Sequence, residues 1–326
     1  MARILVTGGA GFIGSHMVAM LIEQGHDVVV FDNLSSGHAD AVSGVKLIVA
    51  DLADKDALNA CFSEHNFNAV MHFAALIQVG ESVENPIKYY QNNLVSSINL
   101  LNAMVEHKVD KLIFSSSAAV YGEPQYTPVD IRHPKNPINP YGKSKWILEM
   151  ILEDYAIAYN FNSISLRYFN ACGADPEGRF GPRHSVVSHL IPLVLQAASG
   201  RRKHIEVYGT DYPTRDGTCI RDYVHVSDLC RAHLLALKTL LNGSKSKVYN
   251  LGNGKGYSVL EVIQAAEKIV GKKIPTVLSP RRAGDPAALV ADAELAKEEL
   301  LWCPKHPDLE SIIKHSWQWE QRLAGK

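Results

Sequence analysis

The sequence predicts an α/β protein: a doubly wound parallel sheet in the first half, followed by a smaller C-terminal α/β region. Three observations predict this fold. Six short apolar runs alternate with helical patterns before residue 170, a loop-rich stretch follows at 171–185, and the composition is that of a globular protein. At roughly 150 residues per domain, a chain of 326 residues accommodates about two domains. We place them at 1–170 and 171–326.

Each strand of the first half is predicted from an apolar run rich in Val, Ile, Leu and Phe, as expected for strands buried on both faces. The runs are 3–6, 27–31, 46–50, 69–73, 111–115 and 163–168. Helices are predicted between them at 12–24, 54–65, 91–106 and 140–159. Gly25 is a left-handed stop for the first helix, Asp54 caps the second, and Asn139 with Pro140 begins the last.

The second half contains fewer periodic segments. We predict a helix near Val186–Ser199, a strand at 205–208 and an irregular stretch at 209–221. A helix capped by Ser227 and a buried strand at 248–251 follow, and the segment 225–252 is expected to return to the first sheet. Ser258 and Glu261 have the spacing of a capping box ahead of a further helix.

Charge and cysteine content exclude several classes of protein. The net charge is −1, whereas broad nucleic-acid or membrane-surface binding needs a basic excess. The five cysteines include no C-x-x-C pair, so we expect neither a disulfide framework nor a metal site. The opening residues leave no room for the apolar stretch of a signal peptide, and no apolar run is long enough to span a membrane. We therefore predict a cytoplasmic protein.

A glycine-rich loop follows the first predicted strand and opens the first helix. Gly8, Gly9, Gly11 and Gly14 satisfy both spacings that allow a backbone to approach a pyrophosphate at a helix start. Asp32 ends the second strand, where a carboxylate accepts the ribose hydroxyls of NAD and repels the phosphate of NADP. Asp51 and Leu52 end the third strand and are candidates for adenine contacts, with an ordinary strand-end aspartate as the alternative. An ordinary glycine turn beside a solvated aspartate is the alternative; the order of strand, loop, helix and acid favours NAD and a Rossmann sheet.

Tyr141 and Lys145 stand one turn apart on a predicted helix. A tyrosine has an unperturbed pKa of about 10, and a neighbouring ammonium group stabilises its phenolate form. Such a pair beside NAD can remove an alcohol proton while hydride leaves the same carbon. Ser117, at the end of a strand, is placed to steady that proton. The alternative is a tyrosine packed on a helix whose lysine is solvated.

These motifs, together with others along nearly the whole chain, resemble the extended short-chain dehydrogenase/reductase family, and within it the UDP-glucose 4-epimerases. The matching segments of the first half include 7–16, 32–34, 79–82, 115–122, 140–145 and 166–170. In the second half they are 209–214, 216–218, 221–226, 249–252 and 281–285. The second-half segments match the nucleotide-sugar site rather than the cofactor site.

The resemblance implies a role for each of three groups of residues. Catalysis would be carried by Tyr141, Lys145 and Ser117. NAD would be held by Gly8, Gly11, Phe12, Ile13, Asp32, Asn33, Asp51, Leu52, Phe73, Asn92, Ser115 and Tyr168. The UDP-sugar substrate would be held by Asn170, Leu190, Tyr208, Arg221, Arg282 and Asp285, although for Leu190 and Tyr208 taken alone core packing is the favoured interpretation. Arginines suit a diphosphate because their geometry is bidentate.

The implied reaction is reversible 4-epimerisation of UDP-glucose and UDP-galactose through a 4-keto sugar, with tightly bound NAD. A homodimer formed through the helices near 92–107 and 141–159 is also implied. Ile77, His189 and Leu289 depart from the family pattern. Leu289 stands where a tyrosine narrows the sugar site, so N-acetylated sugars become candidate substrates; the alternative is that a neighbouring side chain fills the space. A UDP-uronate 4-epimerase and a non-catalytic NAD-sensing protein are the alternatives, and Ala118-Ala119 lack the acid–base pair of dehydratases.

Overall fold

A seven-stranded parallel sheet forms the centre of the structure, a computed structural model that describes residues 1–183, 187–282 and 285–325. Its strands are β1 (Arg3–Thr7), β2 (Asp27–Asp32), β3 (Lys46–Val49), β4 (Ala69–His72), β5 (Lys111–Ser117), β6 (Asn162–Tyr168) and β10 (Lys247–Leu251). They lie in the order β10-β6-β5-β4-β1-β2-β3, and all neighbours are parallel. The strand order reverses between β1 and β4, which is where ligands bind in such sheets.

Helices cover both faces of this sheet. On one face lie α1 (Phe12–Glu23) and α8 (Val226–Leu241), whose Met17 and Leu237 belong to one apolar core. On the other face lie α2 (Lys55–Glu64), α5 (Ser96–Glu106) and α6 (Pro140–Tyr159), which contribute to a second core. Two short helices, α3 (Val79–Glu84) and α4 (Pro86–Tyr90), precede α5. The prediction of a doubly wound sheet is confirmed.

The second region builds two smaller sheets. One contains β7 (Asn170–Cys172), β9 (Ile220–His225), β11 (Gly256–Ser258) and β13 (Ala288–Leu289), with β9 pairing to the other three. The other pairs β8 (Ile205–Tyr208) with β12 (Thr276–Ser279). The helices are α7 (Leu190–Ser199), α9 (Val259–Val270), α10 (Glu294–Glu299) and α11 (Leu309–Leu323). Three of them, α7, α9 and α11, share a separate core.

Most predicted elements are present, and the strand at 247–251 does return to the first sheet. The helix predicted at 91–106 instead begins with a π-helical turn at Gln91–Val95, in which the amide of Ser96 donates to the carbonyl of Gln91. Ser227 is not a cap: α8 follows β9 directly, so the imidazole of His225 accepts the amide of Ser227 at 3.1 Å. The helix predicted from Val186 begins at Leu190, and Val186 itself lies outside the described residues.

The capping box at Ser258 and Glu261 is present, as is the cap of α6 by Asn139. Within the three described ranges, none of the helices combines the length and apolar character required to cross a bilayer.

Candidate active site

A cavity of about 920 Å³ opens at the carboxyl ends of the parallel strands, where the first and second regions meet. Its walls come from the loop after β1, the ends of β2, β4 and β5, the start of α6, and segments of the second region. Several of the lining side chains, among them Asp32, Ser117, Tyr141 and Lys145, are buried, so charges beside them are only weakly screened by water.

The loop after β1 makes a tight turn beside the cavity. Its glycines lie so close to neighbouring backbone atoms that larger residues would not fit. A Cβ atom on Gly8, whose φ is +69°, would lie 2.5 Å from the amide nitrogen of Ala74. A Cβ atom on Gly14 would collide with the carbonyl oxygen of Gly8. Gly11 precedes α1 and both line the cavity, so the free amides of the first helical turn face it. This cradle fits a pyrophosphate.

The carboxylate of Asp32 is held in one orientation at the end of β2. It accepts the amide of Ala10 at 2.9 Å through Oδ2 and the amide of Leu34 at 2.8 Å through Oδ1. Next to it, Asn33 donates from Nδ2 to Oδ2 of Asp51 at 2.7 Å, which joins the ends of β2 and β3. The remaining lone pairs of Asp32 are free to accept the two hydroxyls of a ribose.

The start of α6 places the catalytic candidates. Asn139 accepts the amide of Gly142 at 2.8 Å, so the helix begins one residue before Tyr141. Tyr141 and Lys145 line the cavity with Ser117, and all three are buried. Nζ of Lys145 donates to the carbonyl oxygen of Ser115 at 2.8 Å, which directs the ammonium group toward the end of β5.

Burial shifts both titratable groups of this pair away from their charged forms. It raises the pKa of Tyr141, and the hydrogen bond with Ser117 acts in the opposite direction. It lowers the pKa of Lys145 to about 7, against the attraction of the Glu149 carboxylate. The tyrosine therefore remains a phenol until another positive charge, such as an oxidised nicotinamide ring, enters the cavity.

The structure brings together nearly all residues predicted for the cofactor. Those lining the cavity are Gly8, Gly11, Phe12, Ile13, Asp32, Asn33, Asp51, Leu52, Phe73, Asn92 and Tyr168. Ser115 lies outside the lining: its carbonyl holds Lys145, and its hydroxyl lies 3.5 Å from Nε2 of His233. The glycine cradle and the oriented Asp32 together fit NAD.

The predicted substrate residues fall into two groups. Asn170 and Leu289 line the cavity, as do Ile77 and His189. The residues that do not line it are Leu190, Tyr208, Arg221, Arg282 and Asp285. Leu190 begins α7 and packs against the core of the second region. Its contact with the substrate therefore stays a prediction.

The other four residues form a cluster of their own beside the cavity-lining Leu289. Asp285 accepts Nη2 of Arg221 at 3.3 Å and Nε of Arg282 at 2.9 Å, so one carboxylate joins the two arginines. The Arg282 guanidinium lies 4.7 Å from the centre of the Tyr208 ring. Arg221 and Leu289 are paired in the register of β9 and β13. Ala283 and Gly284, within the matching 281–285 segment, lie outside the described residues.

Two residues of the site were missed by sequence reasoning. Asn93 accepts the amide of Leu76 at 2.8 Å and donates to its carbonyl at 2.9 Å, which fixes the cavity-lining segment after β4. The consecutive asparagines of a predicted helix were the available signal. Arg183 lines the cavity and forms a two-point ion pair at 2.8 Å with Asp40, which joins the second region to the loop after β2. No local pattern marks that pair.

Comparisons with known proteins agree with this geometry. Residues 4–252 match the model of the NAD dependent epimerase/dehydratase family. A UDP-glucose 4-epimerase of Halalkalibacterium halodurans is 50% identical over 98% of this chain and 95% of its own. The solved UDP-glucose 4-epimerase of Bifidobacterium longum in complex with NAD⁺ and UDP is 42% identical, with 98% of each chain covered and a TM-score of 0.93. The UDP-Glc/GlcNAc 4-epimerase of Campylobacter jejuni is 43% identical, with 99% and 100% covered and a TM-score of 0.87.

Proposed function

This chain belongs to the NAD dependent epimerase/dehydratase family, and we propose that it interconverts UDP-glucose and UDP-galactose at C4 through a 4-keto sugar. The observation that carries the proposal is the meeting of Ser117, Tyr141 and Lys145 with Asp32 and the glycine cradle in one cavity. Relatives of this chain are named UDP-glucose 4-epimerase, and the chain covers nearly their full length.

Each catalytic side chain has a separate task. Tyr141 removes the proton of the sugar 4-hydroxyl at its phenolic oxygen and later returns it. Ser117 hydrogen-bonds that oxygen and steadies the proton during transfer. Lys145 supplies a positive charge on the same helix face, anchored to the carbonyl of Ser115. Bound NAD supplies the chemistry that these residues lack, namely reversible acceptance of hydride from C4.

NAD would be held by residues at the carboxyl ends of the parallel strands and in the segments beside them. The amides at the start of α1 would take its pyrophosphate and Asp32 the adenosine ribose. Asn33 and Asp51, hydrogen-bonded to each other, together with Leu52 would border the adenosine. Phe73, Asn92 and Tyr168, which line the cavity together with Lys145, would border the other half of the cofactor. Ser115 lies outside the lining and would act through its carbonyl, which holds Lys145.

The UDP moiety is assigned to the arginine cluster. Arg221 and Arg282 suit a diphosphate because guanidinium groups bind phosphate oxygens at two points. Asp285, which joins them now, would accept a ribose hydroxyl. Asn170 donates to the carbonyl of Asp222 at 2.8 Å, which places its amide beside the same sheet. Binding energy concentrated on the remote UDP leaves the sugar free to turn and present its other face.

The wall beside the sugar supports a second activity, on UDP-GlcNAc and UDP-GalNAc. Leu289 lines the cavity and packs beside Phe169 and Ala291, and its side chain is smaller than a tyrosine. That leaves room for an N-acetyl group. The related enzyme of Campylobacter jejuni is named for both UDP-Glc and GlcNAc.

The alternatives receive less support from the same cavity. A uronate sugar needs a cation for its carboxylate. Three arginines line the described cavity: Arg183 and Arg201 are already ion-paired, to Asp40 and Glu320. The third, Arg202, donates from Nε to the carbonyl oxygen of His204 at 2.8 Å and is the remaining candidate cation. Ala118 and Ala119 follow Ser117 in the lining, so the acid–base pair of a dehydratase is replaced by methyl groups. A non-catalytic NAD sensor would not need Tyr141 beside Lys145.

A homodimer and a cytoplasmic location complete the proposal. Helix α6 exposes apolar side chains, with Met150 39% and Ile157 86% accessible, and Val95 beside α5 is 43% accessible. An apolar face of this kind suits a second copy of the same chain. Replacing Ile157 by glutamate should then yield monomers in light scattering.

The cytoplasmic location is supported by the cysteines. Cys61 and Cys230 are buried free thiols, in keeping with a reducing compartment.

The decisive experiment supplies UDP-galactose to the purified protein without added cofactor and follows the sugar by NMR. We expect UDP-glucose to accumulate to an equilibrium mixture, and denatured protein to release NAD. UDP-galactose that stays unchanged with NAD-loaded protein would refute the proposed activity, whereas absence of released NAD would refute the retained cofactor.

A further inference from the structure

An acidic side chain lies buried one turn beyond the catalytic lysine. Tyr141, Lys145 and Glu149 follow one another at four-residue intervals on α6, so they share one face of the helix. Their exposed fractions are 9%, 5% and 3%. The mechanism above uses the first two residues and gives Glu149 no task.

The carboxylate of Glu149 is buried, and an ion pair and a hydrogen bond hold it in place. Arg167 on β6 donates from Nε to Oε1 at 3.0 Å and to Oε2 at 3.1 Å, and its Nη2 also reaches Oε2. The hydroxyl of Ser116 donates to Oε1. Both members of the ion pair are only 3% exposed. A contribution to stability does not by itself explain such a buried ion pair, because the cost of removing the two charges from water offsets much of their attraction.

The same stretch of β5 fixes both Lys145 and Glu149. The carbonyl of Ser115 accepts Lys145, and the hydroxyl of the next residue, Ser116, holds the carboxylate. A cation and an anion are thus attached to consecutive residues of one strand, in a region of low polarity where Coulomb interactions are strong. The attraction of Glu149 opposes the effect of burial, which otherwise lowers the pKa of Lys145.

The other titratable groups around this pair are neutral or positive. On β4, His72 has its pKa lowered to about 3, chiefly by burial and further by the charge of Lys145, so it is uncharged during turnover. Tyr168 on β6, Tyr89 on α4 and Tyr121 after β5 have raised pKa values and remain phenols. Lys135, before α6, is a cation that faces Glu149 and Arg167. Within the part of the chain that the structure describes, the negative charge acting on Lys145 therefore comes from Glu149.

We propose that Glu149 is a positioning residue whose negative charge keeps Lys145 protonated while Tyr141 acts as the base, with Arg167 and Ser116 holding the carboxylate in place. The inference rests on the proposed function, because it assigns the state of Lys145 required by that reaction.

The proposal predicts a specific change in pH dependence. The active form carries a phenolate and an ammonium, and it competes with an inactive form of equal charge in which the lysine, not the tyrosine, has lost the proton. Removing the Glu149 charge favours the inactive form. At low pH, where both groups hold their protons, kcat should stay near the wild-type value. At neutral and higher pH, kcat should level off lower, by roughly tenfold for each pKa unit by which Lys145 shifts.

Three variants separate charge from structure. Glu149→Gln removes the charge and keeps the size, but it leaves Arg167 buried without a counterion and lowers stability. Glu149→Gln combined with Arg167→Gln removes both charges, which relieves that imbalance. Glu153→Gln is the matched control, since Glu153 lies one turn further along α6 and is exposed.

The NAD-loaded variants are compared by kcat from acid to alkaline pH, by the midpoint of thermal unfolding, and by NMR titration of carbon-13-labelled lysine with Lys145→Met as the assignment standard. We expect the double variant to unfold near the wild-type midpoint. Like Glu149→Gln, it should show a lowered plateau of kcat at neutral and higher pH and a lowered pKa of Lys145. The Glu153→Gln variant should match the wild type in all three measurements.

Two results would overturn the inference. One is a uniform loss of kcat at every pH with an unchanged lysine titration, which a structural role of the pair would produce. The other is a double variant whose pH profile returns to that of the wild type. Failure of the proposed function is distinguishable, because wild-type protein would then show no turnover of UDP-galactose at any pH.

Discussion

Nζ of Lys145 lies 2.8 Å from the carbonyl oxygen of Ser115, so the lysine of the proposed catalytic pair is anchored to the same strand that carries Ser117. Strand β5 and helix α6 therefore hold the three catalytic candidates in one arrangement before any ligand binds. The hydrogen bond to Ser115 orients Lys145 relative to Ser117, and proton transfer depends on such orientation.

Replacing Tyr141 by phenylalanine should lower kcat by roughly 10²- to 10⁴-fold, since a positioned acid–base group contributes about that much. The amount of NAD retained on purification should not change, because the phenol is not assigned to cofactor binding. Tyr155→Phe, which alters a hydroxyl on the same helix that bonds Asn102 at 2.6 Å, is the control. Full activity in the Tyr141 variant would remove this residue as the base.

Replacing Asp32 by alanine should release NAD. The carboxylate accepts two amides and is assigned both ribose hydroxyls, and a hydrogen bond to a charged group contributes about 1.5–3 kcal/mol. With two such bonds lost, we expect the dissociation constant of NAD, measured by calorimetry on stripped protein, to rise by roughly two to four orders of magnitude. Asp54→Asn, outside the cavity and still able to cap α2, should bind NAD normally. Equal affinities would exclude Asp32 from the cofactor site.

Replacing Arg282 by alanine should weaken substrate binding more than catalysis. Its guanidinium is assigned to the UDP diphosphate, far from the reacting carbon, so KM should rise by roughly ten- to 100-fold with a smaller change in kcat. Arg281→Ala alters the adjacent arginine, which pairs with Asp211 instead, and should leave KM unchanged. A larger rise of KM in Arg281→Ala than in Arg282→Ala would show that Arg282 does not bind the diphosphate.

Replacing Leu289 by tyrosine should narrow the sugar side of the cavity. Turnover of UDP-GalNAc should fall by roughly tenfold to 200-fold, the range by which steric exclusion discriminates substrates. UDP-galactose serves as the internal control on the same variant, and its kcat/KM should change little. Wild-type protein that turns over UDP-galactose but not UDP-GalNAc would contradict the second activity directly.

Stability should decline in acid because several histidines are buried in their neutral form. Burial lowers the pKa of His72 and His225 to about 3, and that of His16 and His233 to about 4. The unfolded chain takes up these protons near pH 6.5, so it binds more protons than the folded chain below that pH. The free energy of unfolding should therefore fall as pH drops from about 6.5 toward 4, by about 1.4 kcal/mol per pH unit for each histidine.

Urea unfolding at several pH values measures this slope. His72→Gln should reduce the slope by the contribution of one proton, and His204→Gln, at a partly exposed position in a loop, should not. A slope that is the same in the wild type and the His72 variant would show that this histidine is already protonated in the folded state.

Local features of the chain predicted much of the fold. Strands buried on both faces leave apolar runs, and the cap at Asn139 and the box at Ser258 and Glu261 depend on residues three apart. The π-helical start at Gln91–Val95 was not predictable in the same way. There the side chain of Asn93 bonds Leu76, a tertiary contact that a helical periodicity does not record.

The sequence by itself determined the glycine cradle, the acid at Asp32 and the Tyr141–Lys145 spacing, because each depends on neighbours along one strand or helix. Only the tertiary structure decided that Asp285 joins Arg221 to Arg282 and that Arg167 meets Glu149 beside Lys145. The physical reason is that pKa shifts and ion pairs depend on burial and on distances between segments far apart in the chain, and neither quantity is encoded in local spacing.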